Sequence, residues 1–390
     1  MSTLPQVQMN GFNIELYYII IVFLAAFIGT YASVPLCKKI GHILGAIDYQ
    51  SKRRINTVPV PRCGGIALFF GLHVGFLAYF IGVEYFHWHF DDLYNLAMTN
   101  WALLYIGIVI IFCVGLVDDI VQLNAAAKLL GQIAGVVLVY FSGASIGSMN
   151  LFGTDTVVSF GWLDFPITVI YLIAFINITN LIDGIDGLCA GIIAILAITF
   201  SYLMFERSSF TMVFVCTALF AVCLSFLRYN FFPASIFMGD SGSNLLGLLI
   251  GIISILGVVR AQTAIFFLVP IIFAIIPVFD TCQSIVRRLK RNQPVMEGDL
   301  EHIHHKLLKR GLSQKRTVAV LWLSTALFCI VGYAISNSHL IVTIVVTIVA
   351  SILLFALLYK LGIFEPVLAH LYKSDDNSAS YAAPTQDSKE

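Results

Sequence analysis

Carboxylates, amides, a lysine and histidines gather in four short clusters along this 390-residue chain. The first is Asp118-Asp119, followed by Asn124, three alanines and Lys128. Asn124 stands where an N-cap would, and the alanines are strong helix formers, so Lys128 is expected in the first turn of a helix. Two carboxylates and one amine then share a tight hairpin. Adjacent aspartates alone are a weak signal, and a solvated turn with a simple ion pair uses the same residues. The second cluster is Asn180-Leu-Ile-Asp183-Gly-Ile-Asp186-Gly. On a helix, positions 180 and 183 share a face, as do 183 and 186. Gly184 and Gly187 would let a ligand approach the backbone. Oxygen-only donors of this kind suit Mg²⁺, which binds through one or two carboxylates plus substrate phosphates. A polar hairpin with glycine turns explains the glycines, but not two acids and an amide in apolar surroundings. The third cluster, Phe237-Met-Gly-Asp240-Ser-Gly-Ser-Asn244, places an acid at a helix start, where capping alone is a sufficient role. Gly247 and Gly251 beyond it have the spacing of close helix packing.

The fourth cluster holds His302, His304 and His305. Leu300, Ile303, Leu307 and Leu308 recur there at helical spacing, and Lys309-Arg310-Gly311 ends the pattern. This reads as a short amphipathic helix on a membrane surface. Zinc is disfavoured, because His304 projects away from the face shared by the other two and no cysteine is near. A cationic or hydrogen-bonding patch for an anionic ligand fits better, and a basic loop against anionic lipid heads is the plainer alternative.

The elements that must position these clusters are membrane helices. Charged residues make up 11% of the chain and hydrophobic ones 59%, whereas soluble domains carry about 25% charged residues. A soluble globular domain is excluded, and so is disorder for most of the chain. Windows of about 20 apolar residues fall near 14–37, 64–83, 101–117, 127–147, 166–183, 187–205, 210–227, 243–259, 264–282, 317–336 and 339–360. The expected fold is an all-α polytopic membrane protein with about eleven transmembrane helices. A β-barrel is disfavoured, since the runs are continuous rather than alternating. With the N-terminus outside and the C-terminus cytoplasmic, 20 of the 22 Lys and Arg fall on the cytoplasmic side, leaving Arg207 and Arg260 outside. Residues 1–372 then form one integral membrane domain, and 373–390, polar and poor in large apolar residues, a disordered cytoplasmic tail. The loop from Ser148 to Asp164 is expected outside as a small hairpin. None of the eight cysteines falls in an outside loop, so no disulfide framework is implied.

The same threading puts Asp118, Asp119, Asp183, Asp186 and Asp240 at cytoplasmic helix ends. A carboxylate at mid-bilayer costs roughly 2.5 to 3.5 kcal/mol even on the lenient insertion scale, so the acids belong at the water boundary, on cations, or both. A secondary transporter is the rival from another class, but its sites lie near mid-bilayer and its halves are duplicated, which this chain does not show.

In order and in position, Val117-Asp118-Asp119, NLIDGIDGL at 180–188, FMGDSGS at 237–243 and HIHHKLLKRG at 302–311 resemble the polyprenyl-phosphate N-acetylhexosamine-1-phosphate transferase family, over residues 38 to 316. The run His302-Ile-His304-His305-Lys departs from the three adjacent histidines and Phe-Glu of the branch that takes a muramyl-pentapeptide nucleotide. It is more similar to the bacterial undecaprenyl-phosphate GlcNAc-1-phosphate transferase branch. The resemblance implies a bacterial cytoplasmic-membrane enzyme whose partners are a UDP-N-acetylhexosamine and undecaprenyl phosphate within membrane lipid, with no nucleic acid and room for a homodimer. It implies Mg²⁺, replaceable by Mn²⁺, held by Asn180 and Asp240. Asp118 and Asp119 are implied as catalytic residues around the reacting phosphates. Lys128, Asp183, Asp186, His302, His304 and His305 are implied as substrate-binding.

Overall fold

The computed structural model describes residues 7–9, 12–14, 16–48, 59–88, 99–150, 157–259 and 313–335, with isolated positions 345, 348, 349 and 352. Nine α-helices run through them: α1 (Leu16–Leu44), α2 (Gly64–Tyr85), α3 (Trp101–Val121), α4 (Ala125–Phe141), α5 (Asp164–Ile182), α6 (Leu188–Glu206), α7 (Phe210–Asn230), α8 (Gly239–Ile253) and α9 (Gln314–Ile335). Each forms because an unbroken apolar run cannot leave its backbone amides unpaired in lipid and satisfies them internally. Eight stretches are long and apolar enough to cross a bilayer. The window near 127–147 is the shorter α4, whose 17 residues reach about 25 Å at 1.5 Å per residue. The windows near 264–282 and 339–360 lie outside the described residues, apart from the isolated positions, and so do the three histidines and the 373–390 tail.

Helix starts follow the expected chemistry. The Asn124 side chain accepts from the Ala127 amide at 2.8 Å and caps α4, and Asn100 caps α3 through Leu103 at 3.0 Å. The hairpin expected in the Ser148 to Asp164 loop is present as β5 (Ser148–Asn150) paired antiparallel with β6 (Val157–Ser159), counting in chain order after four earlier strands. Two of these, β3 (Ile47–Asp48) and β4 (Val60–Pro61), pair Ile47 with Pro61 and so tie the end of α1 to the entrance of α2. The remaining pair, β1 (Val7–Met9) and β2 (Phe12–Ile14), precedes α1.

α8 is the axis of the bundle. Some 94% of its membrane window is buried, against 28% and 33% for those of α1 and α3. Neighbours close in on it where it is small: Gly247 lies under the Phe175 carbonyl and Ile176 of α5, and Gly251 under Leu172. The spacing of those two glycines is therefore helix packing, with α5 as the partner. Because protein rather than lipid surrounds it, α8 can carry Ser241, Ser243 and Asn244 fully buried. The ends of α3 and α5 and the starts of α2, α4, α6 and α8 meet at one end of the bundle.

Candidate active site

The α3–α4 hairpin is braced by its own acid. Asp118 Oδ1 accepts from the Leu123 amide at 2.7 Å, and Oδ2 pairs with Lys128 Nζ at 3.0 Å. The same ammonium reaches Asp240 Oδ2 in the first turn of α8. One cation thus joins two carboxylates from elements more than a hundred residues apart. Asn180, in the last turn of α5, donates its amide nitrogen to Asp240 Oδ1 and to Ser243 Oγ, each at 2.9 Å. Lys128, Asp118, Asp240 and Asn180 form one contact group whose side chains keep a small opening to solvent, 16% for Asp240 and 17% for Lys128.

Asp119 does something different from its neighbour. Its side chain has no exposure. Oδ1 accepts from the Asp240 amide at 2.7 Å, and Oδ2 accepts from the Ser241 amide at 3.0 Å and the Ser241 hydroxyl at 2.7 Å. The carboxylate therefore caps α8 from another helix, satisfying amides the helix leaves unpaired and meeting the positive end of its dipole. The cap expected from Asp240 itself is supplied by Asp119. Both oxygens are occupied in holding Asp240 in place.

The geometry admits this approach because of Gly239, which has φ +73° and whose Cβ would stand 2.6 Å from both Asp119 oxygens. Gly239→Ala is expected to destabilise the protein by about 2 to 4 kcal/mol through left-handed strain and overpacking. Thermal unfolding should show the loss together with reduced activity.

The helix-face argument for the second cluster holds only as far as Ile182, where α5 ends. Asp183 and Asp186 lie in the turn that follows, so a shared helical face does not align them. Asp186 is buried, and its Oδ2 accepts from the Ala234 amide at 2.9 Å, fastening the α7–α8 loop. Gly187 adopts φ +77° with Phe231 against it, so its role is the turn and its packing rather than an open approach for a ligand. Asp183 is half-buried, and its carboxyl is raised well above the usual range. Loss of water is the main cause, Asp240 and Asp119 nearby add to it, and Arg62 opposes it. Asp186 is also raised by burial, opposed by the Ala234 amide.

Arg62, outside the expected set, is a second cation of the site among the described residues. Its guanidinium stands 3.9 Å from Asp119 Oδ1 and 3.8 Å from Asp240 Oδ1. The available signal was a basic residue two positions ahead of Gly64-Gly65 at a helix start, but the register that turns it inward is set by the β3–β4 pairing. His302, His304 and His305 lie outside the described residues.

Among the described residues five carboxylates face two cations here. Like charges about 4 Å apart at an effective dielectric near 20 repel by roughly 4 kcal/mol, so the cluster favours additional positive charge. Among the described residues no three His, Cys, Asp or Glu side chains converge as a metal cage. The oxygen-only donors, with Asp240 and Asp118 adjacent across Lys128, fit the sparser way Mg²⁺ binds, through one or two carboxylates with substrate oxygens and water completing the shell.

The bundle, with Asp118, Asp119, Asp183, Asp186 and Asp240 gathered at one end, is that of a polytopic membrane protein. A model of glycosyl transferase family 4 matches residues 101–258, which contain α3 to α8 and all of the acids above. The chain is 32% identical over 320 residues to a probable undecaprenyl-phosphate N-acetylglucosaminyl 1-phosphate transferase of Bacillus subtilis, covering 82% of this chain and 86% of the relative. It is 32% identical over 335 residues to a decaprenyl-phosphate N-acetylglucosaminephosphotransferase of Mycobacterium tuberculosis, covering 80% and 81%. A phospho-N-acetylmuramoyl-pentapeptide-transferase of Listeria welshimeri is 28% identical over 324 residues, covering 79% and 95%. The protein belongs to glycosyl transferase family 4 and is a membrane transferase.

Proposed function

We propose that the protein transfers N-acetylhexosamine-1-phosphate, with GlcNAc-1-phosphate as the favoured group, from a UDP-sugar to undecaprenyl phosphate. The products are undecaprenyl-diphosphate-sugar and UMP, and the step opens cell-envelope glycopolymer synthesis. The observation that carries this reading is the joining of Asp118, Lys128, Asp240 and Asn180 at one end of the bundle, where a lipid-held phosphate and a water-borne nucleotide can meet. The names of the Bacillus and Mycobacterium relatives support the donor and the carrier. A transporter would need its acids near mid-bilayer rather than at helix ends. In this reading the chain has eleven spans with the N-terminus outside, and the acidic end faces the cytoplasm of a bacterial inner membrane.

Phosphoryl transfer depends mainly on positioning and on neutralising charge at the oxygens. A phosphate monoester has a second pKa near 6, so the acceptor is already largely dianionic at neutral pH and little remains for a general base to remove. Asp240 and Asn180, with Asp118 beside them, would hold Mg²⁺, which supplies charge neutralisation between the two phosphorylated substrates. Asp118 fixes Lys128, and Lys128 faces the reacting phosphates. Asp119 acts by setting the first turn of α8, and thereby the direction of Asp240. Asp183 and Asp186 form the edge of the site on the α5–α6 turn, and the three histidines meet the donor's diphosphate or sugar.

The test uses purified protein, undecaprenyl phosphate and a panel of labelled UDP-GlcNAc, UDP-GalNAc and UDP-MurNAc-pentapeptide. Lipid-extractable label with equimolar UMP is expected, greatest with UDP-GlcNAc. Chelation should lower the rate by about 100-fold or more, and Mg²⁺ should restore it. Undiminished turnover after exhaustive chelation would overturn the reading.

A further inference from the structure

We propose that Arg62 is a phosphate-binding residue of this site, gripping phosphate oxygens of a substrate with a guanidinium held over Asp119 and Asp240. The proposal rests on the transferase reading and adds to it a residue outside the four clusters of the sequence.

The backbone comes first. The Arg62 amide donates to the Ala46 carbonyl at 2.8 Å. On either side of it the Phe237 amide donates to the Pro61 carbonyl at 2.8 Å, the Gly64 amide to the Phe237 carbonyl at 2.9 Å, and the Gly65 amide to the Met238 carbonyl at 2.8 Å. The segment that carries Arg62 is thereby laced to the entry of α8, two residues ahead of Asp240. These bonds fix the Arg62 backbone relative to the start of α8.

The guanidinium is placed differently from a structural counter-ion. Charge-assisted N–H···O bonds close to about 2.7 to 2.9 Å, whereas among the described residues its nearest acidic oxygens stand at 3.8 and 3.9 Å. Those oxygens already have donors: the Asp240 amide on Asp119 Oδ1 at 2.7 Å, and Asn180 on Asp240 Oδ1 at 2.9 Å. The side chain keeps 23% of its exposure while Asp119 beneath it has none. A planar fork of donors, partly open and not closed onto a carboxylate, has the geometry that binds phosphate bidentately. The charge balance favours it as well. Lys128 divides its charge between two carboxylates, and among the described residues Arg62 brings a second positive charge to a phosphate entering beside these acids.

Two phosphates could meet this fork, the monoester of the lipid acceptor and the diphosphate of the nucleotide donor, and steady-state kinetics separates them. Full-length wild type, R62Q and R62K are assayed with donor varied at saturating acceptor, then the reverse. R62Q is expected to raise KM for one phosphorylated substrate by about tenfold or more with the other little changed. R62K should recover part of the loss, because it keeps the charge without the fork. A shift confined to the donor assigns the diphosphate, one confined to the acceptor assigns the lipid phosphate, and either supports the proposal. Unchanged KM values in R62Q, or a lowered melting temperature with unchanged KM values, would overturn it in favour of a structural counter-ion. Should R62Q fail to fold, unchanged KM values in R62K decide against it. A wild type inactive with every donor would instead sink the transferase reading itself.

Discussion

Asp240→Asn is expected to lower kcat by at least about 100-fold while the protein stays folded. The size follows from removing one fixed charge aimed at developing phosphate charge in a water-poor site, which costs about 10² to 10³ in rate. Folding should survive because the substitution is isosteric and the surroundings retain other partners. Lys128 keeps Asp118 at 3.0 Å, Asn180 keeps Ser243 at 2.9 Å, and the main-chain amide of residue 240 still donates to Asp119. The melting temperature should therefore move little, while transfer of labelled sugar phosphate to lipid collapses. Near-normal turnover by the purified variant would remove Asp240 from the chemistry.

Asp119→Ala has the opposite signature. Removing this carboxylate strips the acceptor from two buried amides and a hydroxyl at the start of α8. Unpaired buried donors cost about 1 to 3 kcal/mol each, so a loss of about 3 to 5 kcal/mol is expected. That corresponds to a fall of roughly 10 °C in melting temperature. Activity is lost with it, since Asp240 no longer holds its direction. Asp119→Asn, which keeps one accepting oxygen, should fall between wild type and alanine. A protein that melts normally yet is inactive after Asp119→Ala would mean that the carboxylate faces the phosphates rather than α8. Two adjacent aspartates would thus be told apart by which quantity moves first.

The architecture was legible wherever a local rule decides. An apolar run of about 20 residues must be helical in lipid, and most of the expected windows are helices of that kind. Asn124 was legible as a cap because an asparagine ahead of three alanines has few other roles. The α5–α6 turn was not. Helical spacing suggests that residues 180, 183 and 186 share a face, but the helix stops at Ile182. The Asp186 carboxylate then turns to Ala234, on a loop nearly fifty residues away. Arg62 was not legible for a related reason, since nothing local in Pro61-Arg62-Cys63 shows that the strand pairing to Ile47 aims it at Asp240.

By itself the sequence determined that this is a multi-span helical membrane protein, and that its acids, amide and lysine stand at helix ends. Hydropathy and the cost of burying charge act residue by residue and need no partner. Only the tertiary structure decided which acid does which work. Asp118 shares an ammonium with Asp240, Asp119 spends itself on the N-terminus of α8, and Arg62 joins them from a loop. Those roles depend on which oxygen reaches which donor across helices far apart in the chain, and the distances that decide it are set by how α3, α5 and α2 pack around α8.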